Sequence, residues 1–154
     1  MTNAIDIPIE RLPHVDEHVV GIEATFDQVW DALIATLPKS FGGPAGPIGG
    51  LLGVEHREAH GNFGEIGSTL PGFVVSRAVP PAVLALLGEH RFSRYALIFR
   101  LEKTGIGTAL RAETRAEFPG TKGRVYRALV IGTRGHVLLT RRILGAVRKR
   151  AESG

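Results

Sequence analysis

The side chains best placed for chemistry lie along one stripe near the C-terminal end. Between residues 120 and 150, Tyr126, Leu129, Val130, Thr133, His136, Val137, Thr140, Leu144 and Val147 recur with the 3.6-residue period of a helix. A stripe that packed only against a core would be filled with Leu and Ile. This one also carries a phenol, two hydroxyls and an imidazole. The mixture predicts a helix that faces a pocket as well as a core. His136 is the first candidate for a general acid or base, because a neutral imidazole exchanges protons near physiological pH. A lone histidine on an apolar stripe is more often a hydrogen-bonded core residue, so acid–base work needs a partner to set the tautomer. His90, Tyr95, Tyr126 and Thr114 fall on faces that can turn inward. The expected ligand-binding set is Tyr126, Leu129, Thr133, His136 and Val137 from the helix. From the preceding strands it takes His90, Tyr95, Leu97, Phe99 and Thr114. No second acid–base group is singled out, so the catalytic assignment stays open.

Other chemistries find no support. The chain has no cysteine, which excludes disulfides, thiolate metal sites and cysteine nucleophiles together. Ser40, Ser68, Ser76 and Ser93 sit in no Gly-x-Ser-x-Gly frame. His56 and His60 are four residues apart, but in a strand-like context beside Gly61, so neither a metal nor another cofactor is expected. Arg111, Glu113, Arg115 and Glu117 alternate, which predicts an outward, solvated ladder of cross-strand charge pairs. Arg77 shares the parity of Phe73, Val75 and Val79. It either reaches inward to an acidic ligand group or snorkels out from a sheet edge.

These residues need elements to hold them. Residues 14–23 predict a first strand, rich in β-branched bulk. Thr25-Phe-Asp-Gln28 has the form of a capping box. Phe26, Val29, Trp30, Leu33, Ile34 and Leu37 then follow at helical spacing, and Pro38 is expected to stop the helix. Residues 38–53 are punctuated by Gly and Pro yet keep Phe41, Ile48, Leu51 and Leu52. That predicts a hinged apolar loop at a pocket mouth. It lacks the Gly-Lys-Ser/Thr ending of a phosphate loop. Strands are expected at 54–60 and 65–70. Alternation then predicts strands through Phe73–Val79, Leu84–Phe92, Tyr95–Leu101 and Leu110–Phe118, joined by short turns. The whole describes an α+β fold, an antiparallel sheet of about six to seven strands wrapped around the long C-terminal helix.

Size and charge narrow the classes further. The 154 residues suit one domain over 1–154 with a core at about 14–150. No apolar run approaches the ~18–20 residues of a membrane span, and no signal peptide is visible at the start. With the missing cysteines, this fits a cytoplasmic protein. The net charge of +4 hides an asymmetry. Residues 1–119 hold ten Lys/Arg and fourteen Asp/Glu, a balance of −4; residues 120–154 hold nine and one, a balance of +8. Cations near a helix C-terminus are favoured by its dipole. A basic face also suits acidic lipid headgroups. Nucleic acid is not expected, because the basic face lacks aromatic stacking residues.

The segment Val19-Val-Gly-Ile-Glu-Ala-Thr-Phe-Asp-Gln-Val-Trp-Asp-Ala-Leu33 resembles the first strand and helix of the START-like helix-grip superfamily, the SRPBCC or polyketide cyclase/dehydrase-like group. His90-Arg-Phe-Ser-Arg-Tyr-Ala-Leu-Ile-Phe-Arg-Leu101 and Glu113-Thr-Arg-Ala-Glu-Phe118 resemble its last strands, and the final helix its gripping helix. The likeness covers nearly the whole domain and consists of patterns of bulk and order. It implies a site for apolar or amphipathic small molecules between sheet and helix. The glycine-rich loop and Gly132 and Gly135 depart from the family pattern.

The leading expectation is therefore binding or carriage of a small hydrophobic or amphipathic molecule, lipids included, in a cavity between the C-terminal helix and the sheet. The alternative is a cofactor-free cyclase or dehydratase using the same cavity, so enzyme activity stays open. A second alternative is docking of the basic helix on a membrane or protein partner. Ile131 and Leu138, which interrupt its outer face, leave room for a homodimer contact. Two polar side chains converging within hydrogen-bond reach in the cavity would favour the enzyme.

Overall fold

The structure is a computed structural model that describes residues 8–41, 62–70, 72–90, 93–118, 120–122, 124–125 and 135–154. A single 3-10 turn, Ile9–Arg11, leads into β1 (His14–Ile22) and α1 (Phe26–Phe41). Strands β2 (Thr69–Leu70), β3 (Phe73–Val79), β4 (Val83–His90), β5 (Ser93–Lys103) and β6 (Thr108–Glu117) follow, then helix α2 (Gly135–Ser153). The six strands form one antiparallel sheet in the order β1-β6-β5-β4-β3-β2. Strands β2 to β6 are a meander, and β1 closes the far edge beside β6.

The start of α1 follows the sequence closely. The Thr25 N–H donates to Gln28 Oε1 at 3.0 Å and the Gln28 N–H donates to Thr25 Oγ1 at 3.3 Å, the reciprocal bonds of a capping box. Thr25→Ala removes one of them and is expected to cost about 1 kcal/mol in a denaturant titration. A cost near zero would mean the box adds nothing to the fold.

The end of α1 differs from expectation. Pro38 lies inside the helix, which runs on to Phe41. Pro38 lacks the N–H that would bond one turn back. Two contacts hold the last turn nevertheless. The Ser40 hydroxyl donates to the Thr36 carbonyl at 3.0 Å, and Phe41 is buried with its ring 5.1 Å from that of Phe73. Tertiary packing overrides the local breaker. Residues 38–41 are thus helix rather than lid, and residues 42–53 lie outside the described residues, as does the strand expected at 54–60. The strand expected at 65–70 shrinks to Thr69–Leu70, with turns before it.

The sheet is buried on its inner face and, over the middle of β3 to β5, on its outer face too. Its inner face meets the helices through Ile22, Phe73, Val75, Leu84, Leu86, Leu97, Phe99, Leu101, Leu110 and Ala112, which form one cluster with α1 and α2 residues. Its outer face carries Val74, Ala85, Leu87, Ala96 and Ile98, covered by Ile9 and Leu12 of the N-terminal strap. This explains why β4 is buried continuously from Leu84 to Gly88.

Helix α2 packs on α1 and β1. Leu139, Thr140, Ile143, Leu144, Val147 and Ala151 are its buried stripe. Thr140, Leu144 and Val147 stand where the helical period put them. Val137 is half-buried, while Leu138, Arg142 and Lys149 are exposed. At the far end the Glu23 N–H donates to Glu152 Oε1 at 3.0 Å, tying α2 to the end of β1. Residues 120–122 and 124–125 are helical too, but Tyr126 to Arg134 lie outside the described residues. No helix among the described residues is long and apolar enough to cross a membrane.

Candidate functional site

Register places the inner-face residues in rungs. Asp16 pairs with Thr114, and Thr114 with Leu97; His18 pairs with Ala112, and Ala112 with Phe99. Residues directly opposite in adjacent strands project from the same face, with Cβ atoms about 5 Å apart. Leu97, Phe99 and Thr114 of the expected ligand set therefore form one patch. Tyr95 continues it along β5. Its ring meets Phe73 edge-on at 5.2 Å, and its hydroxyl donates to the Gly72 carbonyl at 3.0 Å. Gly88 lies opposite Tyr95, where a β-carbon would collide with that ring. His90 ends β4 opposite Ser93, and His136 stands in the first turn of α2. Tyr126, Leu129 and Thr133 lie outside the described residues.

The patch holds two residues that sequence reasoning missed. A bulge between His14 and Asp16 switches the parity of β1, so that Asp16 and His18 turn inward while His14 stays outside. His18 Nε2 is 3.3 Å from Asp16 Oδ2. Their side chains are 18% and 22% exposed. The i, i+2 spacing of Asp16 and His18 on a strand was the available signal. The β-branched residues around it, Val15, Val19 and Val20, mask that signal.

On the outer face the expected solvated ladder is corrected. Glu113 is buried, 6% exposed. His14 Nδ1 lies 2.8 Å from Glu113 Oε2, and Arg100 and Arg115 approach Oε1 at 3.1 and 3.2 Å. Burial pushes the Glu113 carboxyl up, but the hydrogen bonds from His14, Arg115 and Arg100 outweigh it and hold it at about 2. Arg115 also donates to the Leu12 carbonyl at 2.9 Å, pinning the strap that covers this face. Cross-strand pairing itself is present: Arg111 meets Glu17 at 2.7 Å and Glu102 at 3.1 Å. Of the two readings of Arg77, the outward one holds, though not on the shared face expected for it. A bulge between Val75 and Arg77 turns it away from the face of Phe73 and Val75, and it pairs with Glu10 at 2.9 Å near the strap.

A surface cleft of about 630 Å³ lies between residues 23–28 and the β5–β6 turn. Lys103, Thr104 and Ile106 line it together with the capping box. It sits at the opposite end of β1 from Asp16. Among the described residues, no group of three or more His, Asp or Glu is arranged to hold a metal ion.

No protein-family model matches the chain, and no curated protein is similar to it in sequence. Solved structures are similar in fold. An uncharacterized protein of Rhizobium leguminosarum superposes with a TM-score of 0.58 at 15% identity, over 92% of this chain and 96% of that one. A protein of Chromobacterium violaceum gives 0.57 at 11% identity, over 91% and 99%. The architecture is thus the helix-grip fold, an open six-stranded antiparallel sheet with a C-terminal helix packed against it. One neighbour in that fold has a named role: StfQ, the di-domain ARO/CYC of the steffimycin biosynthetic pathway, matches with a TM-score of 0.58 at 14% identity. The match covers 90% of this chain and 50% of StfQ, so this chain spans about half of that protein's length.

Proposed function

We propose that the protein binds a small hydrophobic or amphipathic molecule between α2 and the inner face of the sheet. The observation that carries this reading is the make-up of the patch. Leu97 presents apolar surface backed by the fully buried Phe99 and Ala112, while Thr114, Asp16 and His18 bring polar groups onto the same face. Apolar area with a few convergent polar groups is the usual composition of a small-molecule site. Affinity would come from apolar burial at roughly 25 cal/mol per Å², and orientation from the polar groups. The likeness to StfQ supports a fold suited to such ligands. Native mass spectrometry of the purified protein is the test. A reproducible adduct that disappears on denaturation is expected. A bare mass in every preparation, with no binding of a fluorescent apolar probe, would end this reading.

A second reading is a cofactor-free cyclase or dehydratase working in the same place. The 3.3 Å approach of His18 and Asp16 favours it, because catalytic proton transfer needs an imidazole whose tautomer is set by a partner. His18→Ala, with His136→Ala beside it, separates the two readings once a ligand is known. Loss of one hydrogen bond from a carrier lowers affinity about tenfold or less. Loss of a general acid or base lowers turnover by about 10²–10⁴-fold.

A further inference from the structure

The Asp16–His18 pair stands where it adds little to stability. Its neighbours on the inner face are Leu97, Phe99, Ala112, Val20 and Leu110. Ala112 and Leu110 are fully buried, as is Phe99. One partly exposed side-chain hydrogen bond contributes little net stability, and well-packed apolar residues of similar volume often serve a buried position as well or better. The stabilising charge pairs of this sheet lie on the other face, around Glu113 and Arg111. An ionisable pair turned toward the helices therefore calls for a role of its own.

Its geometry specifies one. A carboxylate only accepts hydrogen bonds, so the imidazole must donate through Nε2 to Asp16 Oδ2. In the neutral imidazole the proton on Nε2 leaves the lone pair on Nδ1. The pair then offers the ligand face a hydrogen-bond acceptor whose tautomer is fixed by Asp16. Thr114, one strand away and opposite Asp16, adds a hydroxyl to the same patch.

We propose that Asp16 and His18 are a specificity pair that selects an apolar ligand bearing a hydroxyl donor, with the ligand O–H donating to His18 Nδ1. This rests on the reading of the inner face as the binding site, and it names the class of ligand that face would take. Asp16 acts through His18 and is a positioning residue.

The test uses two probes of nearly equal apolar area, 2-naphthol and 2-methoxynaphthalene, titrated into the full chain by calorimetry. The first can donate a hydrogen bond and the second only accept. The wild type is expected to prefer 2-naphthol by about three- to tenfold, the worth of one hydrogen bond. Asp16→Asn keeps size and shape but lets the amide donate to Nε2, which frees the tautomer. The preference should shrink to about twofold or less. His18→Phe should remove it while the affinity for 2-methoxynaphthalene stays within about twofold. If His18→Phe fails to fold, the near-isosteric Asp16→Asn decides alone. Equal affinities in the wild type would overturn the pair's role and leave the pocket standing. A preference that survives both substitutions would also overturn it, because the hydroxyl would be held elsewhere. Binding of neither probe would remove the pocket itself, and this inference with it. A third readout separates selection from structure: the ¹⁵N resonance of His18 Nδ1 should move on addition of 2-naphthol and stay with 2-methoxynaphthalene.

Discussion

Val147→Asp is expected to leave no cooperative thermal transition. Val147 is fully buried, and it lies in the middle of the stripe that α2 packs on α1 and β1. Residues on either side of it, Leu144 and Ala151, are also buried. Aspartate there would lose the apolar contact and place a carboxylate in a site built of carbon. The carboxylate must stay protonated or pull water into the interface. Either way the cost is about 5 kcal/mol or more, comparable to the whole stability of a domain this size. Circular dichroism on heating reads the result. Gly145→Ala is the control on the opposite, exposed side of the same helix, where an added methyl meets nothing within 4 Å. It should stabilise by about 0.5–1 kcal/mol, the helical cost of glycine. An unaltered melting temperature for Val147→Asp would refute the packing of α2.

The second large effect is acid lability through Glu113. Its carboxyl stands at about 2 in the folded protein against an ordinary 4.5. A lowered carboxylate stabilises the fold fully above about pH 4.5, and that contribution drains away as pH falls toward 2. The difference corresponds to at most about 3 kcal/mol at roughly 1.4 kcal/mol per unit. It will be smaller in practice, because the His14 and Arg100 side chains are 51% and 40% exposed and water screens them. Glu113→Gln should therefore lower stability by about 2–3 kcal/mol at neutral pH. The gap between variant and wild type should close between pH 4.5 and 2. Urea titrations at a series of pH values measure it. A gap that stays constant down to pH 2 would mean that Glu113 contributes through shape rather than charge.

The parts of the fold that were legible in the sequence are those governed by neighbours in the chain. The capping box at Thr25 and Gln28, the inward alternation of Tyr95, Leu97, Phe99 and Leu101, and the stripe of Thr140, Leu144 and Val147 all depend on local period or local bonds. The meander of β3 to β6 and the packed C-terminal helix followed from them. The misreadings share a different cause. Pro38 does not end α1 because Phe41 finds Phe73, a contact between distant parts of the chain. Arg77 changes face because a bulge adds one residue to the count, and a bulge likewise turns inward Asp16, which the sequence did not single out; alternation carries no mark of where a bulge falls. Glu113 is buried because residues 8–13 fold back over β6, bringing the Leu12 carbonyl to Arg115. Alternation assigns a residue to a face, but only tertiary structure decides whether that face meets water. Of the expected ligand set, the described residues Leu97, Phe99 and Thr114 share a patch. The acid–base partner sought for His136 was not identified, and the pair that stands on the inner face is Asp16 with His18.

The strap over the outer face has a consequence for how this protein can change over time. Strands β3, β4 and β5 have a foothold on each side. Val74, Ala85, Leu87, Ala96 and Ile98 are clamped beneath Ile9 and Leu12 without touching the helices. Substitutions on the helix side are therefore paid for out of only one of two separate anchorages. Half-buried inner-face residues such as Thr114 can be exchanged while the strands keep their register from behind. Mutational tolerance should accordingly be lopsided. On the helix side only the half-buried positions such as Thr114 and His18 are free to drift, and Ile9 and Leu12 of the strap are held fast although they lie on the far face of the sheet.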